Sequence, residues 1–183
     1  MTEFRIYTES NKLVWTRKRI LFGIFIITFG IITAKIYLPK NFEFINDNVA
    51  QIIGYIGVAA LFLSLVNSFF PEQLKGKFEG NLVLDFSKVV IKNNNYNLTD
   101  IKSIIITTGT SKGQFLPQGY AAFSDNISNG VNNELQLILN SGEIVKCNFE
   151  IDYERKMFQA TNELKNYVDK GKLSNENFIE IYN

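Results

Sequence analysis

Residues 49–70 read VAQIIGYIGVAALFLSLVNSFF, and this stretch decides the architecture. No charged side chain interrupts it over about 22 positions, enough for a helix rising 1.5 Å per residue to cross a hydrocarbon layer of about 30 Å. Pro71 closes the run, because proline is poorly tolerated in a continuing helix. Toward the N-terminus, Ile20 to Ala34 (ILFGIFIITFGIITA) is also uncharged, and its apolar character resumes beyond Lys35 in Ile36, Tyr37 and Leu38. Two spans are therefore predicted, 20–38 and 49–70. They leave an N-terminal cytoplasmic segment over 1–19 and an external loop over 39–48. Lys35 lies near the end of its span, where its stem reaches the headgroups.

Two other readings are set aside. Soluble cores rarely hold uncharged runs of 18 or more residues. A cleaved signal peptide would want a small-x-small site, whereas Ala34 follows Ile32 and Thr33 and a second span comes at once. Lys12, Arg17, Lys18 and Arg19 precede the first span, and Lys75 and Lys77 follow the second. The loop between holds Lys40 against Glu43 and Asp47, so the basic flanks predict both termini on the cytoplasmic side. Trp15, Tyr37, Phe42, Phe69 and Phe70 fall where an interfacial aromatic belt would lie. Small residues recur at helical spacing, Gly23, Gly30 and Ala34 in one span and Gly57, Ala60, Ser64 and Asn67 or Ser68 in the other. Such stripes let helices approach closely. Packing within the hairpin accounts for them, and an oligomer or partner-subunit interface is the alternative.

Composition removes several function classes. The 183 residues carry a net charge of +1, so no basic field invites nucleic acid. Histidine is absent, which removes the commonest general base and metal ligand. Cys147 is the single cysteine, so neither an internal disulfide nor a Cys-rich zinc site exists. No ionisable residue sits mid-span as an ion relay would require. No catalytic, cofactor or metal-binding residue is assigned, and the chain is expected not to be an enzyme.

Beyond Gly76 the apolar period falls to two. Strands are predicted over Lys77–Phe86, Lys88–Lys92, Ser103–Thr108, Glu134–Leu139 and Glu143–Ile151. Asn93-Asn94-Asn95 and Asn140-Ser141-Gly142 read as turns. An irregular stretch runs from Gly109 to Asn132. Asp152 is the predicted N-cap of a helix with an apolar stripe through Tyr153, Met157, Ala160 or Thr161, Leu164 and Val168, stopped at Gly171. The tail over 172–183 is open between strand and short helix. The predicted class is α+β: a transmembrane hairpin followed by a small antiparallel sheet or partly open barrel, capped by a C-terminal helix.

The run KVVIKNNNYNLTDIKSIII, with its Leu98-Thr99-Asp100-Ile101 element, then a hairpin and a final helix, resembles the bacterial pleckstrin-homology-like (PH-like) domains over 76–171. That resemblance implies seven strands, one of them within 109–132, and a tether of one or two transmembrane helices. It implies no catalytic set.

Candidate contacts follow from position. Phe115, Tyr120 and Phe123 in the long loop either dip into the membrane interface, bind a partner or cluster over the sheet. Arg17, Lys18, Arg19, Lys75 and Lys77 are the membrane-flanking cations, and topology alone would select them. Asp85, Asp100, Glu134, Glu143, Glu150 and Asp152 read as solvated surface, and Cys147 as a small buried hydrophobe. The expected function is a non-catalytic interaction or regulatory module held at the cytoplasmic face of the bilayer, with a membrane or cytoplasmic protein as partner. The alternative is an accessory subunit of a transport complex that acts through its hairpin. Self-association is open.

Overall fold

A computed structural model describes residues 1–39, 45–67, 69–71, 73–116 and 127–182. The chain divides into two compact units, one made of residues 1–12, 74–116 and 127–182, the other of Leu13–Gln73.

The second unit is a helical pair, α1 (Arg17–Tyr37) and α2 (Asp47–Asn67). Thr16 caps α1 by accepting from the Arg19 amide. Gly57, Ala60, Ser64 and Asn67 are the buried residues of α2, the stripe expected there. In α1 the contact differs from the expectation. Gly23 and Gly30 have open space beside them and Thr28 is the buried residue. The Thr28 hydroxyl donates back to the Ile24 and Phe25 carbonyls, so its polar group is satisfied inside its own helix. A Cβ at Gly57 would lie 2.6 Å from Thr28 Oγ1, which is why this crossing takes a glycine. Most of the apolar surface of both helices faces outward, with only 6% and 11% of the two hydrophobic windows buried. The second run ends as a helix at Asn67, three residues short of Phe70. Phe69 and Phe70 turn onto the Val66 and Asn67 carbonyls instead, as suits a chain about to enter Pro71.

The other unit is a seven-stranded antiparallel sheet in the order β4-β3-β2-β1-β7-β6-β5. Its strands are β1 (Thr2–Glu9), β2 (Gly76–Leu84), β3 (Lys88–Ile91), β4 (Asn94–Asn97), β5 (Ile101–Thr107), β6 (Asn133–Leu139) and β7 (Ile144–Phe149). The seventh strand is at the N-terminus, not within 109–132, where the described residues hold only a bridge between Phe115 and Ile127. β1 lies at the centre of the sheet. It pairs with β2 from Thr2↔Leu84 to Glu9↔Gly76 and with β7 through Ile6↔Phe149. The helical pair is therefore an insertion in the β1–β2 connection and does not simply precede the sheet. The chain leaves at Glu9 and returns at Gly76, opposite it. The Ser10 amide donates to the Lys75 carbonyl at 3.0 Å, and the Lys75 amide to the Tyr7 hydroxyl at 2.9 Å. A bulge at Glu79-Gly80, with Gly80 at φ +76°, shifts the register between Arg5 and Tyr7.

One face of the sheet is apolar. Phe4, Ile6, Leu82, Leu84, Val89, Ile104, Ile106, Leu135, Leu137 and Phe149 form the core. A 3-10 turn (Lys156–Ala160) and α3 (Thr161–Asp169) cover it with Met157, Ala160, Leu164 and Tyr167. Asp152 does not cap this helix, since the turn begins four residues later. Tyr153 is exposed, and the fully buried aromatic of α3 is Tyr167. Gly171, at φ +66°, ends α3, and the Lys172 amide returns to the Tyr167 carbonyl. The tail forms α4 (Asn175–Glu180), capped by Ser174, and Leu173 and Ile181 on either side are buried. The β3–β4 hairpin turns at Lys92-Asn93, so Asn94 and Asn95 belong to a strand rather than to the turn expected over 93–95.

Candidate functional site

The alternation that buries Phe4 and Ile6 of β1 turns Glu3 and Arg5 to the other face. Glu3 and Arg5, with Phe4, Asn81, Glu150, Asp152 and Lys156, line a pocket of about 290 Å³. Glu150 in this lining is 3% exposed and lies immediately after β7. This corrects the expectation of a solvated carboxylate. Arg5 grips Glu150 through Nε at 2.7 Å and through a second guanidinium nitrogen, and Lys112 Nζ lies 4.0 Å from the other carboxylate oxygen. The Arg5 guanidinium also sits over the Phe78 ring, 4.3 Å from its centre. Burial of a carboxylate is tolerated here because both oxygens face cations. Asp152 and Lys156 face each other at 4.0 Å, and Asn81 donates to Glu3. The lining carries three carboxylates against two cations, and Lys112 beside it supplies a third, so its charged groups are spent largely on one another. Among the described residues, no group of three or more metal-ligating side chains converges.

The same corner anchors the base of the long loop. The Glu150 amide donates to the Arg5 carbonyl, Ile151 exchanges hydrogen bonds with Lys112 and Gly130, and Gly130 stands at φ +77°. A Cβ on Gly130 would meet the Ile151 carbonyl oxygen at 2.5 Å. The buried Asn133 side chain accepts from the Gly109 amide and donates to the Gly130 and Phe149 carbonyls. The Ser128 hydroxyl accepts from Thr110 and from the Gly130 amide. The part of 109–132 that is described is thus an ordered base.

The sequence-derived candidates are scattered. Phe115 is 73% exposed beyond that base, while Tyr120 and Phe123 lie outside the described residues. Arg17 opens α1, donates to the Pro71 carbonyl and covers the Phe70 ring. Arg19 donates to the Val14 carbonyl at 2.8 Å, and Lys18 is half-buried. Lys77 pairs with Glu79 and holds that carboxyl below its ordinary value, with help from Lys92. The Lys75 backbone closes the β1–β2 ladder. Within the helical pair, Arg17, Ile20, Leu21, Leu63, Val66, Asn67 and Phe70 line an apolar cleft of about 330 Å³. The sequence reading missed Arg5 and placed Glu150 on the solvated surface. The available signal was a carboxylate at the end of an apolar strand, flanked by Phe149 and Ile151.

Cys147 is buried beside Leu135, as expected. Burial, aided by Glu134, pushes its thiol from 9.0 up to about 12. It is therefore protonated near neutrality and a poor nucleophile. A raised acid pKa means that the fold favours the protonated form. The associated stability is present below pH 9 and is lost as pH rises toward 12, and burial of Tyr167 and Tyr182 acts in the same direction. A disulfide dye at pH 8 should label the native protein orders of magnitude more slowly than protein in denaturant. The thermal midpoint should fall between pH 9 and 12.

No family model, curated protein or solved structure matches the chain.

Proposed function

We propose that this chain is a membrane-anchored, non-catalytic interaction or regulatory module. In this reading α1 and α2 cross the bilayer as a hairpin, and a PH-like sheet is held at the cytoplasmic face to engage a protein partner. One observation carries it: the helical pair is inserted between two strands paired to their ends, Glu9 opposite Gly76. Such an insertion brings the chain back to the side it left, which agrees with the basic residues flanking both spans. The outward apolar surface of the helices suits lipid better than a soluble core. Seven strands and a helix after the last strand agree in number with what the PH-like resemblance implies, although one of the seven precedes the helical pair instead of lying within 109–132. The connections are short, seven residues before α1 and eight after α2. At full extension they reach only about 25–30 Å, so a tethered sheet would stay near the surface, where a membrane partner meets it at high effective concentration. The Arg5–Glu150 corner is mutually satisfied and is read as structural.

The test is capture from mild-detergent membranes with three baits: the full chain, the hairpin over 11–75, and a sheet in which Ser10 is joined to Lys75 by a two-residue turn. A partner that follows the spliced sheet supports the module. A partner that follows the hairpin makes the protein an accessory subunit of a membrane complex. A reporter fused after Asn183 that is active only outside the cytoplasm overturns the orientation.

A further inference from the structure

β5 is an edge strand, and its sequence is an unusual one to leave at an edge. Ile101–Thr107 reads IKSIIIT, with three consecutive isoleucines and a single charge. Natural edge strands are commonly blunted by charge, proline or shortness, because an apolar, β-branched edge templates pairing with another chain. The opposite edge, β4, obeys that rule with four residues, three of them asparagine. β5 is guarded differently. Ile104 and Ile106 direct backbone groups away from β6, and the C-terminal segment meets them. The Ile104 amide donates to the Lys172 carbonyl at 2.7 Å. The Asn177 side chain accepts from the Ile106 amide at 2.9 Å and donates to the Ile106 carbonyl at 2.7 Å. A side-chain amide pairing both ways with one residue reproduces the bonds of a neighbouring strand. Lys172 Nζ closes the far end on the Ile101 carbonyl at 2.6 Å. No residue of α4 itself is fully buried; the segment is held by this mimicry, by Phe178 and Tyr182 packed partly buried against the core, and by Leu173 and Ile181 at its flanks.

We infer that the β5 edge is a latent strand-pairing surface, closed by the C-terminal segment through Asn177, and that once opened it takes β5 of a second copy of this chain. Antiparallel pairing centred on Ile105 places Ile104 opposite Ile106 of the other copy twice over. That arrangement replaces the bonds now made by Lys172 and Asn177 and leaves no outward group of these residues unmet. The inference concerns the sheet alone and does not rest on the function proposed above.

The experiment uses the full chain in detergent with Cys147→Ala and Ile105→Cys. Ile105 is 41% exposed and points away from the core, and in the pairing described the two copies of position 105 are directly opposite. With Asn177 intact, mild oxidation should give no 105–105 cross-link. Asn177→Leu, and separately a chain ending at Leu173, should give the cross-linked dimer and raise the sedimenting mass by one protomer. Two results overturn the inference. One is cooperative unfolding in either variant with no cross-link. The other is loss of cooperative unfolding in both, which would make the segment part of the core rather than cover for an edge. Failure of the capture experiment would leave these outcomes unaffected.

Discussion

A chain that begins at Gly76 is expected not to fold. The sequence alone makes Gly76 a natural place to separate a soluble domain from its anchor, but that cut removes the central strand. Phe4 and Ile6 are 2% and 1% exposed and Tyr7 is 7% exposed. At about 1.5–3 kcal/mol for each large apolar side chain buried, their loss amounts to roughly 4–9 kcal/mol. That is comparable to the whole stability of an ordinary domain, about 5–15 kcal/mol. The cut also opens the edges of β2 and β7, and leaves Glu150 without Arg5. The truncated chain should collect in the insoluble fraction. The spliced chain, with Ser10 joined to Lys75, should be soluble and unfold cooperatively. A well-dispersed amide spectrum from residues 76–183 alone would refute the central role of β1.

The second large effect is expected at Tyr167. Its ring is fully buried between α3 and the sheet, and its hydroxyl donates to the Asp85 carbonyl at 2.8 Å in the β2–β3 turn. The neighbouring Asn166 and Lys170 side chains donate to the Phe86 carbonyl, so α3 straps this turn at three points. Tyr167→Ala should cost about 3–5 kcal/mol, as large aromatic truncations in cores do. Tyr167→Phe should cost about 1 kcal/mol, the worth of one hydrogen bond. Amide hydrogen exchange on the full chain separates these cases. Protection across β3 and β6 should collapse with alanine and fall by roughly fivefold with phenylalanine. Unchanged protection with alanine would mean that α3 is not the lid of this core.

The parts legible in the sequence were those with an unbroken period. The two apolar runs are long enough to be read by length alone, β2, β6 and β7 show an alternating pattern, and β3 and β5 are β-branched runs. Misreadings arose where a weak local signal lay beside a strong one. Thr2–Glu9 alternates Phe4 and Ile6 with Glu3 and Arg5, which is a strand pattern. Its nearest neighbours are the basic flank and the first apolar run, and those claimed the segment for topology. Its partners are β2 and β7, on the far side of the helices, and no local pattern announces a pairing at that distance. The Asn-rich stretch misled for a different reason. Asparagine favours turns, but here the left-handed position is taken by Lys92 at φ +57°, and tertiary pairing with β3 holds Asn94 and Asn95 extended. In the helical pair, a glycine in α1 suggested a close approach, but only the rotational phase of the helix decides which small residue meets the partner. Glu150 read as solvated surface because its burial depends on an arginine about 145 residues away.

The insertion of the helices into the sheet also fixes an order of events in synthesis. β1 leaves the ribosome first, yet its partner Phe149 on β7 follows about 140 residues later, a delay on the order of 7–30 s at ordinary elongation rates. Until then, Phe4 and Ile6 have no core to enter, and both apolar runs must be disposed of before β2 exists. The sheet therefore closes last. Under the proposed topology, its completion certifies that the segment between Glu9 and Gly76 has already returned to the compartment where it began, so a chain that misplaces one run would be left with an open sheet rather than a finished protein in the wrong place.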